Sequence, residues 1–342
     1  MGKNVVAILL ILLMVMNIGC LKADEVMQQD SYVENEIKIG ILIYRFDDQF
    51  ISSVKATIIE QAEEINAMNP QEIIVDIVDG KNQQDIQDDQ IDHFIQEDYD
   101  ALAINLVDRS NAANVIDKAK QADIPIVFFN REPVEVDMAR WEKTYYVGAK
   151  AEDSGIIQGE IAVSYWMDNP QVDKNGDGIM QYVMLEGQPG HQDALLRTKY
   201  AINAVVEQGI EVEELVRDTA NWQRSEAKDK MATWLDFFGD DIEFIFSNND
   251  AMALGAIDAM KASEVAYNIP VVGVDAIESA IEALETGEII GTVNNDNAEQ
   301  GKMVMNMAYY LAINEDPNDY IPDIVNGTYL WIPYEKVLPN ID

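Results

Sequence analysis

Short, nearly all-apolar runs recur along the chain, each followed by a stretch with helical amphipathicity. IKIGILIY (37–44), EIIVDIVD (72–79), ALAINLV (101–107) and IPIVFFN (124–130) are the first four runs. ISSVKATIIEQAEEINA, DIQDDQIDHFIQED and NAANVIDKAKQAD are the helical stretches between them. A strand without polar alternation must be buried on both faces, as in a parallel sheet covered by helices on either side. The pattern resumes with TYYVGA, QYVMLEG, EVEELVRD, IEFIFSN, IPVVGVD and IIGTVN, separated by helices such as ALLRTKYAINAVVEQG and AMALGAIDAMKA. These are too many units for one comfortable sheet, and 342 residues with 48% hydrophobic content suffice for two cores. The expectation is an α/β protein of two Rossmann-like lobes. No long Gly/Ser/Pro linker separates them, so the chain must cross directly, as a hinge requires.

The formal net charge of −39 is spread along the whole sequence. So acidic a surface repels phosphate backbones and argues against nucleic acid as a partner. The first residues, MGKNVVAILLILLMVMNIGC, hold one Lys and then an apolar run from Val5 to Met16. That run is too short to span a bilayer and fits the apolar segment of a secretory signal. Cys20 is the only cysteine, so it makes no internal disulfide. Its place after Gly19 resembles a bacterial lipobox, although Asn17 stands where an aliphatic residue is usual. The expectation is a signal peptide over 1–19, lipid modification of Cys20, and a polar tether over 20–35.

DKNGDGIMQ (173–181) places Asp173, Asn175 and Asp177 at the spacing of an EF-hand calcium loop, with Gly178 next. Its twelfth position, where a bidentate Glu belongs, is Met184. From the loop alone, a cation site and an acidic turn are both open.

In open parallel sheets, ligands bind beyond the carboxyl ends of the strands. The unusual polar and aromatic residues fall there: Asp48, Phe50, Asn105, His191, Asp193, Arg197, Trp222, Asn249, Asp275 and Asn295. Taken singly, an Asp or Asn after a strand is a turn or N-cap residue. Taken together, both lobes present acids, amides, a guanidinium and aromatic rings toward one cleft. That inventory suits a neutral polyol, whose hydroxyls donate and accept at once and whose C–H faces lie against aromatic rings.

YRFDDQF, ALAINLVD, IVFFNREP, YYVGAKAEDSGIIQGE, DKNGDGIMQ, GQPGHQDALLR, DTANW, AKDKMATWL, SNNDAMALGAI, VVGVDA and GTVNND occur in that order. Together they resemble the bacterial periplasmic galactose/glucose-binding proteins of the type I periplasmic binding family, from about residue 36 to 335. The resemblance implies two lobes joined by a hinge of three crossing strands and closing around one monosaccharide. It implies that Asp48, Phe50 and Asn105 are the first lobe's share of the sugar site. His191, Asp193, Arg197, Trp222, Asn249 and Asp275 are the second lobe's share, with Asn295 beside a crossover, and Phe50 and Trp222 sandwich the ring. It also implies that the loop's missing carboxylate is Glu243. The Ca²⁺ ligands are then Asp173, Asn175, Asp177, the carbonyl of Ile179, Gln181 and Glu243.

The lobes expected on this basis are 36–124 with 296–331, and 125–295 with 332–342. The implied function is capture of D-galactose or D-glucose outside the cell and delivery to an ABC permease. The protein would be a monomer on the outer face of the cytoplasmic membrane, or periplasmic. A chemotaxis sensor docking on a chemoreceptor would use the same site. A glycosidase would need two carboxylates flanking a scissile bond; Asp48, Asp193 and Asp275 offer acids, but no leaving-group pocket is indicated. Asn326-Gly327-Thr328 fits a glycosylation acceptor and reads as a turn.

Overall fold

The computed structural model describes residues 36–263 and 268–339. The expected signal segment, Cys20 and the tether lie outside the described residues. In the first lobe, β1 (Ile37–Ile43), α1 (Gln49–Met68), β2 (Ile73–Asp79), α2 (Gln84–Gln96) and β3 (Ala101–Ile104) follow one another. They lead on to α3 (Ala112–Ala122), β4 (Ile126–Phe129), the short α4 (Glu135–Met138) and β5 (Thr144–Gly148). The second lobe continues with α5 (Ala151–Asp168), β6 (Ile179–Glu186), α6 (Gln192–Glu207), β7 (Glu211–Thr219), α7 (Arg224–Phe238) and β8 (Phe244–Ser247). After these come α8 (Asp250–Ala262), β9 (Val271–Val272), α9 (Glu278–Glu285) and β10 (Thr292–Asn295). The chain then returns through α10 (Asn297–Ala312), β11 (Ile324–Val325), β12 (Tyr329–Trp331) and β13 (Tyr334–Val337).

The first sheet runs β11-β12-β5-β4-β3-β1-β2 and is parallel except for the β11–β12 hairpin. The second runs β7-β6-β8-β9, all parallel. Parallel bridges from Val272 to Gly291 and from Asp275 to Asn294 carry it on toward β10, which pairs antiparallel with β13. Central strands such as β3, β4 and β8 are buried at every residue, which explains their unbroken apolar sequence. Helices cover both faces. α5 and α6 approach so closely that a Cβ on Gly159 would lie 2.4 Å from the carbonyl oxygen of Ala201.

Local signals set the element ends. Asp48 caps α1, its side chain accepting the Ile51 N–H. α3 stops at Asp123, whose φ of +57° ends the helix ahead of Pro125. Asn326 and Gly327, at φ +54° and +70°, make the tight turn between β11 and β12, with Thr328 N–H donating to the Val325 carbonyl.

The chain crosses between lobes three times: from β5 into α5, from β10 into α10, and from β12 into β13. The first crossing differs from the sequence expectation. β4 and β5 pair within the first sheet, so that lobe continues past residue 124 to Gly148. TYYVGA therefore belongs to the first sheet rather than the second. An apolar run announces a buried strand but carries no mark of which sheet it joins, since pairing is settled by contacts distant in sequence.

Candidate functional site

At the carboxyl ends of the strands, between the lobes, a cavity of about 30 Å³ is lined by Tyr44, Asp48, Phe50, Ile51 and Asn130 from the first lobe. From the second come His191, Asp193, Arg197, Trp222, Asn249, Asp275 and Asn295. Nine of the ten residues expected from the sequence line it.

Asp48 is held by two donors, the Ile51 N–H at 2.9 Å and the Tyr44 hydroxyl at 2.5 Å. Asn249 caps α8, its Oδ1 accepting the Met252 N–H at 3.0 Å, which leaves the amide NH₂ for other partners. His191 caps α6, its Nδ1 accepting the Asp193 N–H at 3.1 Å. Burial, then the nearby Arg131 and Arg197, push the His191 pKa well below its ordinary value, so the ring is neutral with its proton on Nε2. The ordinary capping role and the line-up along the cavity thus fall to the same side chains.

Arg197 is buried in the middle of this group. Its Nη1 donates to the Asn248 carbonyl at 2.9 Å and lies 3.6 Å from Asp275. Its Nη2 donates to the Tyr334 hydroxyl at 3.0 Å and to Asp193 at 3.4 Å. Burial pushes the Asp193 and Asp275 carboxyls up, Asp275 to about 7, against the pull of Arg197. Asn295 donates to Asp275 at 3.1 Å and accepts from Gln300 at 2.6 Å. Trp222 is buried at φ +64°, its ring edge-on to His191 at 5.1 Å. A Cβ on Gly187 would lie 2.1 Å from the Trp222 ring, so only glycine leaves that place for the indole.

Asn105 is the exception: it is fully buried and does not line the cavity. Its Nδ2 donates to the Asn130 side chain at 3.1 Å and to the Phe129 carbonyl at 3.2 Å, and its Oδ1 accepts the Tyr44 N–H at 3.4 Å. It thereby ties together the ends of β1 and β4, and Asn130 takes the place facing the cavity. Tyr44 and Asn130 were missed in the sequence, although each directly follows a strand and so obeys the same strand-end rule. Ile51 gave no polar signal.

Among the described residues, four hydrogen bonds cross the cleft. Arg131 donates to Gln188 at 2.7 Å, Gln188 to Asn82 at 3.2 Å, Gln192 to Glu132 at 2.7 Å, and Arg45 to the Asn221 carbonyl at 2.9 Å. Arg131 is stacked 3.8 Å over the Tyr44 ring, which links this seam to the cavity wall. These bonds hold the lobes in a closed arrangement.

The acidic loop lies at the other end of β6. Asp173 accepts the N–H groups of Gly176 and Gly178 at 2.8 and 3.0 Å, and Asp177 accepts that of Ile179 at 2.8 Å. Gly176 and Gly178 hold φ of +76° and +78°, a backbone that favours glycine. Glu243, almost fully buried beside the loop, accepts the N–H groups of Lys174 at 2.6 Å and Gln181 at 3.2 Å. Burial raises its pKa, opposed by those amides. The Lys174 ammonium bonds the carbonyls of Asp240 and Ile242 instead. Among the described residues, no three acidic, His or Cys side chains already converge as metal ligands.

A periplasmic binding protein domain matches residues 39–316. The chain belongs to the periplasmic binding protein family. It is a type I sugar-binding protein of ABC transport, extracytoplasmic, and not an enzyme. A D-galactose/methyl-galactoside binding periplasmic protein of Haemophilus influenzae is 40% identical over 301 residues, 88% of this chain and 89% of that one. A solved ABC transporter solute binding protein of Bacillus halodurans, with bound myo-inositol, is 29% identical at a TM-score of 0.73, covering 89% of this chain and 94% of that one. One from Actinobacillus succinogenes, with bound D-allose, has the same TM-score at 20% identity, covering 88% and 97%, and speaks for the fold alone.

Proposed function

We propose that the ligand is D-galactose or D-glucose, captured between the lobes for delivery to an ABC permease. The observation that carries this reading is the gathering of nine sequence-predicted side chains from both lobes around one small cavity. Asp48, Asp193 and Asp275 accept from sugar hydroxyls, while Asn249, Asn295, Arg197 and the His191 Nε2–H donate. Phe50 and Trp222 cover the C–H faces of the ring. Each buried group left without its hydroxyl partner costs about 1–3 kcal/mol, which is a physical source of epimer selectivity. The galactoside-binding relative at 40% identity supports the hexose choice. Because both lobes supply contacts, the sugar stabilises the closed form over the open one. Calorimetry with aldohexoses should give a dissociation constant of roughly micromolar or better, about −8 kcal/mol. Absence of heat with every aldohexose defeats the proposal.

The acidic loop fits a structural Ca²⁺. Asp173, Asn175, Asp177, the Ile179 carbonyl, Gln181 and Glu243 are all oxygen donors, as a hard cation requires. Glu243 supports the reading most strongly, since it is a buried carboxylate with Asp173 beside it, and the nearby Lys174 ammonium is taken up by the Asp240 and Ile242 carbonyls. An ion there would pin the loop to the segment leading into β8. Lipid attachment at Cys20 would hold the protein at the membrane surface, and Cys20→Ser should release it to the soluble fraction.

A further inference from the structure

We propose that Asp250, which does not line the cavity, is the positioning residue that aims Asp275 at the sugar. This rests on the hexose reading above. Asp275 and Ala276 are consecutive non-glycine residues at φ +115° and +52°, a backbone that L-residues adopt only when neighbours hold it. The neighbour is Asp250, the fully buried first residue of α8. Its Oδ2 accepts the Ile277 N–H at 3.2 Å, and the Ala276 N–H is also directed to this carboxylate. Its Oδ1 accepts the Thr292 hydroxyl at 2.7 Å, and its own N–H donates to the Val274 carbonyl at 2.7 Å. One side chain therefore ties together the start of α8, the turn after β9 and the start of β10. A Cβ at Gly273 would lie 2.0 Å from Asp250 Oδ1, so only glycine there lets the carboxylate in.

The elements tied by Asp250 carry Asn249, Asp275 and Asn295, three cavity residues from three successive strand ends. Asp275 bonds Asn295 at 3.1 Å and lies 3.6 Å from Arg197 only while the turn keeps its left-handed backbone. Without an acceptor for the 276 and 277 amides, the turn relaxes toward ordinary φ and swings Asp275 off its bearing. Asn in place of Asp250 keeps the shape but replaces one acceptor with a donor.

The test is sugar affinity by calorimetry for Asp250→Asn, made in the native background and in Asp275→Asn, together with Ala276→Gly as a rescue. In the native background the loss should be ~10- to 100-fold, and in Asp275→Asn under ~3-fold, because the aimed group is already gone. Glycine takes positive φ without help, so Ala276→Gly added to Asp250→Asn should recover ~5-fold or more. If Asp250→Asn does not fold, Thr292→Val removes one donor to the same carboxylate and should show a smaller loss with the same dependence on Asp275. Equal losses in both backgrounds, or no rescue by glycine, overturn the proposal, because a merely structural residue behaves that way. Wild-type protein that binds no aldohexose overturns the hexose reading and this with it. Wild type that binds, with Asp250→Asn binding equally well, overturns the positioning role alone.

Discussion

Arg197 and Asp275 face each other at 3.6 Å, both buried, yet the pair is not a simple ion pair. Burial lifts Asp275 from its ordinary 3.8 to about 7, and Arg197 only partly opposes it. The arginine shares its donors among Asn248, Tyr334 and Asp193 as well.

A pH signature follows from that lift. Because the folded-state value lies above the unfolded one, the folded protein holds the extra proton between about pH 4 and 7. Stability then falls as pH rises through that window and levels off above it. Asn does not titrate, so the melting temperature of sugar-free Asp275→Asn, relative to wild type, should improve from about pH 4 to 7 and stay level above that. A constant offset across that range is incompatible with a raised Asp275.

Trp222 should be the dominant apolar contact in the cavity. Trp222→Ala is expected to lose about 2–3 kcal/mol of sugar affinity, roughly 30- to 150-fold. Gly187→Ala tests the same contact without touching the indole, since the added methyl takes the ring's place. It should weaken binding at least tenfold or so and change the tryptophan emission. Native affinity in Gly187→Ala contradicts this account.

The cross-cleft seam predicts a different pattern. Gln188→Ala leaves an Arg131 Nη2 donor and the Asn82 acceptor without their partner. It should cost about 1–2 kcal/mol for every sugar alike, since it acts on closure rather than on hydroxyl recognition. A change in the galactose-to-glucose ratio would place Gln188 in recognition instead.

For the acidic loop, adding Ca²⁺ to chelator-treated protein should raise the melting temperature, and Glu243→Ala should abolish that rise. Sugar affinity should change little, because the loop and the cavity lie at opposite ends of β6 (Ile179–Glu186). Glu243→Ala with an undiminished calcium response would falsify the ligand assignment.

Much of this was legible in the sequence because it is local. Apolar runs mark strands buried on both faces, and polar residues directly after them mark the cleft. That rule reached Asp48, Asn249 and Asp275, and applied evenly it would have reached Tyr44 and Asn130. It misplaced Asn105, because a strand-end residue facing the cavity and one bracing its neighbour have the same sequence signature. The lobe boundary at Gly148 was not legible, since an apolar strand is equally at home in either sheet. Nor was the seam of Asn82, Gln188 and Arg131, whose partners meet only across the closed cleft.

Every bridge across that seam joins a charged group to a neutral one, or two neutral groups. Among the described residues no salt bridge spans the cleft. Dissolved ions screen attractions between opposite charges far more than they disturb amide-to-carbonyl contacts. In a protein carrying −39 formal charges, brine therefore has no ion pair to weaken at the seam, while it damps the mutual repulsion of the two jaws.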